Sequence, residues 1–534
     1  MFSSGNLPAN TGRAQHTFSR SPQANIPRSQ FDRSHGHKTT FNEGYLVPIF
    51  VDEALPGDTF SLNMTAFARL ATPLFPIMDN MYLESFFFAV PYRLVWDNWA
   101  RFNGEQTNPG DSTDYVIPTC YAPEVTGWEV GSIGDYFGLP VNIEFESQCS
   151  ALPFRAYNLI YNEWFRDENL QDSLPVPKDN GPDLAANYGV VRRNKRYDYF
   201  TSCLPWPQKG AAVDIPLGTS AAIRGLDRDT TVFSTGAPSQ SRLLNVGSVN
   251  NVELSGASVS TGQLRFSTAT DGVGLYADLE NATTVTINSL RESVQIQRLL
   301  ERDARGGTRY TEVIRSHFGV LSPDARLQRP EYLGGGSQPI VISPVAQTSA
   351  TDGTNPLGQL AAVGTCAVNG HGFTKSFTEH CIIMGLINVR SDLNYQSGMN
   401  RMWSRVTRYD FYWPALSHLG EQEVYNREIF FVDDPLIDDL VFGYQERYAE
   451  YRYKPSQITG LFRSEAAGTL DSWHLAQDFS VTPVLNDEFI VEDAPMARIK
   501  AVVTQPDFLF DSHIRFRCVR PMPLYSVPGL MDHF

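Results

Sequence analysis

Long apolar runs are absent from this chain of 534 residues. No stretch reaches the roughly 18 residues that a membrane-spanning helix needs. The opening residues, MFSSGNLPANTGRAQHTF, hold no apolar core of a secretory leader. Cysteine is sparse. Cys120, Cys149, Cys203, Cys366, Cys381 and Cys518 form no C-x-x-C pair and no zinc spacing with histidine. Buried, reduced thiols are the expectation, in line with synthesis in a reducing cytosol. Lysine is scarcer than arginine: 7 of the 43 basic residues are lysine, leaving 43 − 7 = 36 arginines. Arginine suits desolvated ion pairs and protein interfaces. Positive charge is outweighed overall, the formal net charge being −16. That excludes a protein whose whole surface coats a nucleic-acid backbone.

Catalytic motifs are missing as well. There is no G-x-G-x-x-G after a strand, no Walker loop, no H-E-x-x-H and no G-x-S-x-G. Gly334-Gly335-Gly336 lacks the Lys-Ser/Thr and the helix of a phosphate cradle, and reads as a flexible turn. His35-Gly36-His37 has no third ligand nearby. Asp433-Asp434 and Asp438-Asp439 read as solvated loop charge before they read as a cation site. No metal, cofactor or reaction is expected of this chain. What is present is aromatic: 12% of residues, with only 19% charged. Such a composition is not that of a disordered chain. The length predicts two to four domain-sized units, or one large β-unit carrying insertions.

Residues 1–41 stand apart. Arg13, Arg20, Arg28, Arg33 and Lys38 face only Asp32, a net of +4. The segment reads as an extended basic arm, either a frayed terminus or one ordered by neighbouring subunits or a polyanion. Residues 42–210 open a β-rich region. In TFSLNMTAFARL, Phe60, Leu62, Met64, Ala66, Ala68 and Leu70 alternate with polar positions, predicting a half-buried strand in which Phe67 is the misfit. MYLESFFFAVPYRLVW predicts a strand covered on both faces. ALPFRAYNLIYNEWFRD predicts a helix with Pro153 near its start. Residues 211–285 are poor in aromatics and read as a surface-exposed insertion. Residues 286–534 begin with a helical crossover, INSLRESVQIQRLLERDARGG and TRYTEVIRSHFG. Strands then return, with NREIFFVDD, QITGLFRS and DFLFDSHIRFRCVR among them. The absence of a βαβ rhythm favours an antiparallel sandwich or jelly roll.

One segment is dense in arginine and aromatics. Arg401, Arg405 and Arg408 interleave with Trp403, Tyr409 and Trp413, and Tyr448, Tyr451 and Tyr453 follow beside Arg447 and Arg452. Arginine beside stacking rings suits a protein interface first and unpaired nucleotides second.

The stretches IPRSQFDRSHGHKTTFNEGYLVPIFVDEALPGDTF, PLFPIMDNMYLESFFFAVPYRLVWDNW, FTSCLPWPQKG, HGFTKSFTEHC and GYQERYAEYRYKPSQITGLFRS, with the terminal RPMPLYSVPGLMDHF, carry a resemblance. They resemble the major capsid proteins of the gokushovirus branch of the microviruses, small single-stranded DNA bacteriophages. The likeness weakens at 211–285. It implies a mainly β fold, an eight-stranded antiparallel viral jelly roll with long loop insertions and a few short helices. It implies a T=1 icosahedral shell of pentamers, with 211–285 forming three-fold protrusions. Packaged single-stranded DNA, a small basic internal DNA-binding protein, a scaffolding protein and a bacterial surface receptor are the implied partners. The implied location is the virion, assembled in the host cytoplasm. Arg13, Arg20, Arg28, Arg33 and Lys38 are the first DNA-facing candidates, with Arg401, Arg405 and Arg408 second. Two rivals remain: a dedicated single-stranded DNA-binding protein, and a glycan-binding jelly-roll protein.

Overall fold

The computed structural model describes residues 27–123, 126–143, 149–213, 287–348 and 357–525, with the backbone of short strands between 214 and 286. The chain divides into two compact units. One comprises Met1–Pro205, Arg309–Arg315 and Gly319–Phe534, the other Trp206–Thr308 and Ser316–Phe318.

In chain order the strands of the larger unit longer than two residues are Ser29–Asp32 (β1), His35–Phe41 (β2), Val47–Ala54 (β3), Thr59–Leu70 (β4), Met81–Pro91 (β5), Glu331–Pro339 (β6), Val341–Ala346 (β7), Leu360–Ser376 (β8), Cys381–Ser391 (β9), Glu421–Tyr425 (β10), Val441–Glu446 (β11) and Phe508–Arg520 (β12). The first sheet runs β1 and β2, then β12, β4, β8 and β7. The second runs β6, β5, β9 and β3. Every pairing within the two sheets is antiparallel. With β1 and β2 taken as one interrupted strand and β7 as an added edge, the chain visits the sheets in the order first, second, first, second, second, first, second, first. That is the wiring of a jelly roll. Two connections are greatly enlarged: residues 92–330 between β5 and β6, and residues 392–507 between β9 and β12.

The alternation of β4 places Phe60, Leu62, Met64, Ala66, Ala68 and Leu70 between the sheets. There they meet Phe508, Phe510, Ile514 and Phe516 of β12 and Ile383, Ile387 and Val389 of β9. Each such buried side chain stabilises by roughly 1.5–3 kcal/mol. Phe67, the misfit in that pattern, lies on the outward face and is 50% exposed. The outer side of the second sheet is covered. Phe88, Val90, Ile382, Met384 and Leu386 pack with Phe154, Tyr157 and Ile160 of the helix Leu152–Trp164 (α1). This second layer is why β5 and β9 read as continuous apolar runs. Pro153 sits in the first turn of α1, where its missing N–H costs nothing. The outer face of the first sheet is polar and exposed along Ser61, Asn63, Thr65 and Arg69 of β4 and Asp511, His513, Arg515 and Arg517 of β12.

Several expectations change. Of the segment set apart as an arm, β1 and β2 are ladder strands on β12, and residues 1–26 lie outside the described residues. Gly334–Gly336 are not a turn. They lie inside β6, paired with β5. A Cβ on Gly334 would stand 2.4 Å from the carbonyl oxygen of Gly372, and one on Gly336 the same distance from the His371 ring. The glycines serve close approach between the sheets, not flexibility. NREIFFVDD is not a strand, because Asn426–Ile429 forms one helical turn in which Glu428 accepts the Tyr425 N–H. QITGLFRS is a short 3-10 turn at Gly460–Phe462 rather than a strand.

The smaller unit carries the helix Ile287–Gly306 (α2) and short strands. Val252–Leu254, Ser241–Val246, Thr230–Ser234 and Leu264–Phe266 form an antiparallel sheet in that order, and Tyr276–Asp278 pairs with Ala222–Arg224. The rest of 214–286 lies outside the described residues. Tyr310–Phe318 (α3) ends at Gly319, whose φ of 67° is the left-handed stop that glycine accepts.

Candidate assembly surface

Tyr395, Val424, Ile429, Phe442 and Phe489 of the enlarged connection 392–507 share a small core with Tyr199 and Phe200 of the connection 92–330. On it rest the β10–β11 hairpin and a loop folded into 3-10 turns at Arg401–Trp403 and Arg408–Asp410. Asp410 pins that loop by accepting the N–H groups of Val406 (2.9 Å) and Thr407 (2.6 Å).

Arginines brace it from beneath. Arg401 donates to Glu428 (3.0 Å) and to the Glu423 carbonyl (2.5 Å). Burial raises the Glu428 carboxyl above its ordinary range, against the pull of Arg401. Burial likewise raises the Tyr199 phenol, which donates to Glu428 at 2.9 Å. Arg405 pairs with Glu450 (3.3 Å) and lies 4.4 Å from the Tyr451 ring centre and 5.4 Å from that of Phe411. Arg408 lies 4.6 Å from the Trp413 ring centre, and the indole N–H returns a bond to the Arg408 carbonyl (3.0 Å). Cation–ring stacking of this kind orders aromatic side chains that would otherwise be free to rotate.

The held rings Phe411, Trp413 and Tyr451 face outward together with neighbouring aromatics. Trp403 is 73% exposed, and Tyr409, Phe411, Tyr412, Trp413, Tyr451 and Tyr453 are all exposed, with Val406 among them. Tyr448 differs. It is 3% exposed, edge-on to Tyr412, with its N–H bound to Gln422. It is a support for the exposed rings, not part of the surface. Val406 was not singled out from the sequence, although its place inside the arginine–aromatic run signals it. A second exposed apolar row, Ile287, Leu290, Val294 and Leu299, lies along α2. Large exposed apolar side chains gathered in this way are a feature of surfaces that meet another protein.

The basic candidates are scattered and mostly engaged. Arg13 and Arg20 lie outside the described residues. Arg28 donates to the Gly57 carbonyl (2.6 Å), and Arg33 pairs with Asp52 (2.5 Å). Lys38 pairs with Asp511 (2.7 Å) in an exposed contact, the kind that holds a cation only weakly. Arg401 and Arg405 are tied to carboxylates inside the chain. Arg69, Arg515 and Arg517, not proposed from sequence, share the uncovered face of the first sheet with Lys38. The alternation of arginine with Ile514, Phe516 and Cys518 was the available signal.

In the hollow lined by Tyr199, Arg401, Glu428, Glu450 and Tyr453, Tyr199 and Arg401 both donate to Glu428. The acidic pairs cap turns: Asp438 accepts the N–H groups of Val432 and Asp434, and Asp434 that of Leu436. Among the described residues no cluster of three or more His, Cys, Asp or Glu side chains is placed to hold a metal ion.

A family model described as "Capsid protein (F protein)" matches residues 19–530. "Capsid protein VP1" of Bdellovibrio phage phiMH2K is 48% identical over 97% of this chain and 98% of that protein. "Capsid protein VP1" of Chlamydia phage 1 is 46% identical, again over 97% and 98%. "Capsid protein VP1" of Spiroplasma virus 4 is 36% identical over 96% of this chain and 97% of its own. An outward shelf of braced aromatics on a jelly roll and full-length likeness to shell proteins lead to one statement: this chain belongs to the capsid protein (F protein) family of microvirus-type phages, a structural component of the virion and not an enzyme.

Proposed function

We propose that the protein closes a T=1 icosahedral shell of pentamers around circular single-stranded DNA. The observation that supports this most is the exposed shelf of Trp403, Tyr409, Phe411 and Trp413, in which Arg405 stiffens Phe411 and Arg408 stiffens Trp413, in a chain whose family is that of capsid proteins. Aromatic and arginine side chains held rigid before contact lose little entropy on association. Its partner here is a second copy of the chain, and repeated heterologous contacts of this kind close a shell.

The uncovered sheet face with Lys38, Arg69, Arg515 and Arg517 is the side turned toward DNA, joined by Arg13 and Arg20. A chain of net charge −16 leaves most of the counter-charge to a small basic internal protein. A scaffolding protein guides assembly. Residues 211–285 protrude at the three-fold axes and meet the bacterial receptor.

Electron microscopy of the expressed full chain tests the reading. Pentamers or closed particles are expected. A chain that stays monomeric at every concentration overturns it. Tight, salt-sensitive binding of single-stranded DNA by the isolated subunit favours a dedicated DNA-binding protein instead.

A further inference from the structure

We propose that Cys120 and Cys149 are an oxidation site that closes to a disulfide when a small-molecule disulfide oxidant replaces a reducing environment. The inference is independent of the shell geometry. Thr119–Cys120 and Cys149–Ser150 form a short antiparallel pair in which the two cysteines stand directly opposite each other. Opposite residues in such a pair have Cα atoms about 4.5–5.5 Å apart. That lies within the roughly 4.4–6.8 Å that a disulfide spans. Residues directly opposite in such a pair send their side chains to the same side of the ribbon, so the two thiols are neighbours. The Cys149 thiol further approaches the Cys120 carbonyl (3.3 Å), and the Cys120 thiol the Tyr121 carbonyl (3.5 Å).

The ribbon is anchored on both sides. Ala151 N–H donates to the Pro118 carbonyl (2.9 Å), and Asp183 N–H to the Thr119 carbonyl (2.7 Å). Leu152, the next residue, starts α1. The bond would therefore close the loop 121–148 against the helix that covers the second sheet. The other four cysteines have no such neighbour: Cys366 stands opposite Ala68, Cys381 opposite Ala54 and Pro91, Cys518 opposite Phe60 and Phe31, and Cys203 is buried in the core shared by the two large connections.

The two thiols are unequal in a way that assigns their roles. Cys149 is half-buried and reachable, while Cys120 is fully buried. The neighbouring Cys120 thiol lowers the pKa of Cys149, while the Cys149 thiol and then burial raise that of Cys120. Cys149 is thus the attacking thiolate. It displaces one thiolate from a disulfide such as oxidised glutathione and forms a mixed disulfide. Cys120 attacks the Cys149 sulfur and expels the second thiolate, its proton passing to that departing thiolate. Two protein thiols lose two electrons and two protons, and one small disulfide becomes two thiols.

The test uses the full chain, incubated with oxidised glutathione, alkylated under denaturing conditions and mapped by mass spectrometry. Of six thiols, 6 − 2 = 4 should remain alkylatable, and one linked peptide should join Cys120 to Cys149. The oxidised protein should melt at a higher temperature than the reduced one. Cys149→Ser, at the half-buried position, should keep its melting temperature under both conditions, with Cys120 still alkylatable. Six free thiols after oxidation, a link between any other pair, or a stable glutathione adduct on Cys149 with Cys120 untouched would each overturn the proposal.

Discussion

Glu43 and Glu492 meet carboxyl to carboxyl inside the protein, each almost fully buried, where the start of the second sheet touches the end of the large connection 392–507. The Ala494 N–H binds one Glu43 oxygen (3.2 Å), and the N–H and hydroxyl of Ser391 bind one Glu492 oxygen (3.4 and 3.2 Å). The remaining oxygens have no other donor in the structure. A shared proton supplies the partner both need. Burial, and next the charge of Glu492, hold the Glu43 carboxyl well above the ordinary carboxylate range. Arg192 and Lys195 are the cations nearby.

The sign of the resulting pH dependence follows from proton counting. An acid whose folded pKa is raised binds its proton more tightly folded than unfolded, so stability falls as pH rises above the unfolded value near 4.5. The loss continues until the folded group ionises. Glu43→Gln keeps the shape and removes the titration. Melting temperature measured from mildly acidic to mildly alkaline pH should fall less steeply for the variant than for the natural chain. Parallel curves would count against a shared proton.

Arg155 is wholly buried on α1 and forks onto Asp183 at 2.7 and 2.6 Å, with a further bond to the Val95 carbonyl (3.1 Å). Arg155→Ala leaves the buried Asp183 carboxylate with the Tyr188 hydroxyl but without its cation, and is expected to cost about 3–5 kcal/mol. Pairing Arg155→Met with Asp183→Leu should recover most of it. Thermal melts of the three chains decide the matter.

Gly334→Ala directs a methyl group at the Gly372 carbonyl oxygen across the interior. The backbones on both sides are held in ladders, so the expected cost is about 1–3 kcal/mol, as for overpacking. Gly104→Ala, with nothing within 4 Å of its added Cβ but a positive φ of 98°, separates the two effects: it carries backbone strain without a clash. Equal melting temperatures for the two variants would remove close packing as the reason for the glycines.

Trp403→Ala and Tyr409→Ala should leave the melting temperature of the isolated subunit unchanged while weakening self-association tenfold or more, at about 2 kcal/mol for a buried aromatic anchor. Arg405→Ala should weaken association too, by releasing Phe411 and Tyr451. Sedimentation velocity across a concentration series reads both effects.

Replacing residues 211–285 with a short Gly/Ser linker should leave the melting transition of the jelly-roll unit in place and lower infectivity. A chain that no longer folds would refute the view of this segment as an insertion.

Strand existence was legible wherever burial is one-sided or two-sided along a whole element. Thr59–Leu70 and Phe508–Arg520 alternate because one face meets the core and the other water, and Met81–Pro91 is continuous because α1 covers its second face. The helices at 152–164 and 310–318 announced themselves through Pro153 and Gly319. Local pattern failed where a distant group set the conformation: Glu428 capped NREI into a helical turn, and the Gly372 carbonyl and the His371 ring across the interior demanded Gly334 and Gly336. The arginine–aromatic run was visible as composition, but composition does not separate Trp403, which faces solvent, from Tyr448, which is buried against Tyr412. The meeting of Glu43 with Glu492 and of Cys120 with Cys149 was invisible along the chain. Proximity between residues so far apart in sequence is created by sheet register and by the return of the long connections, and no nearest-neighbour preference encodes it.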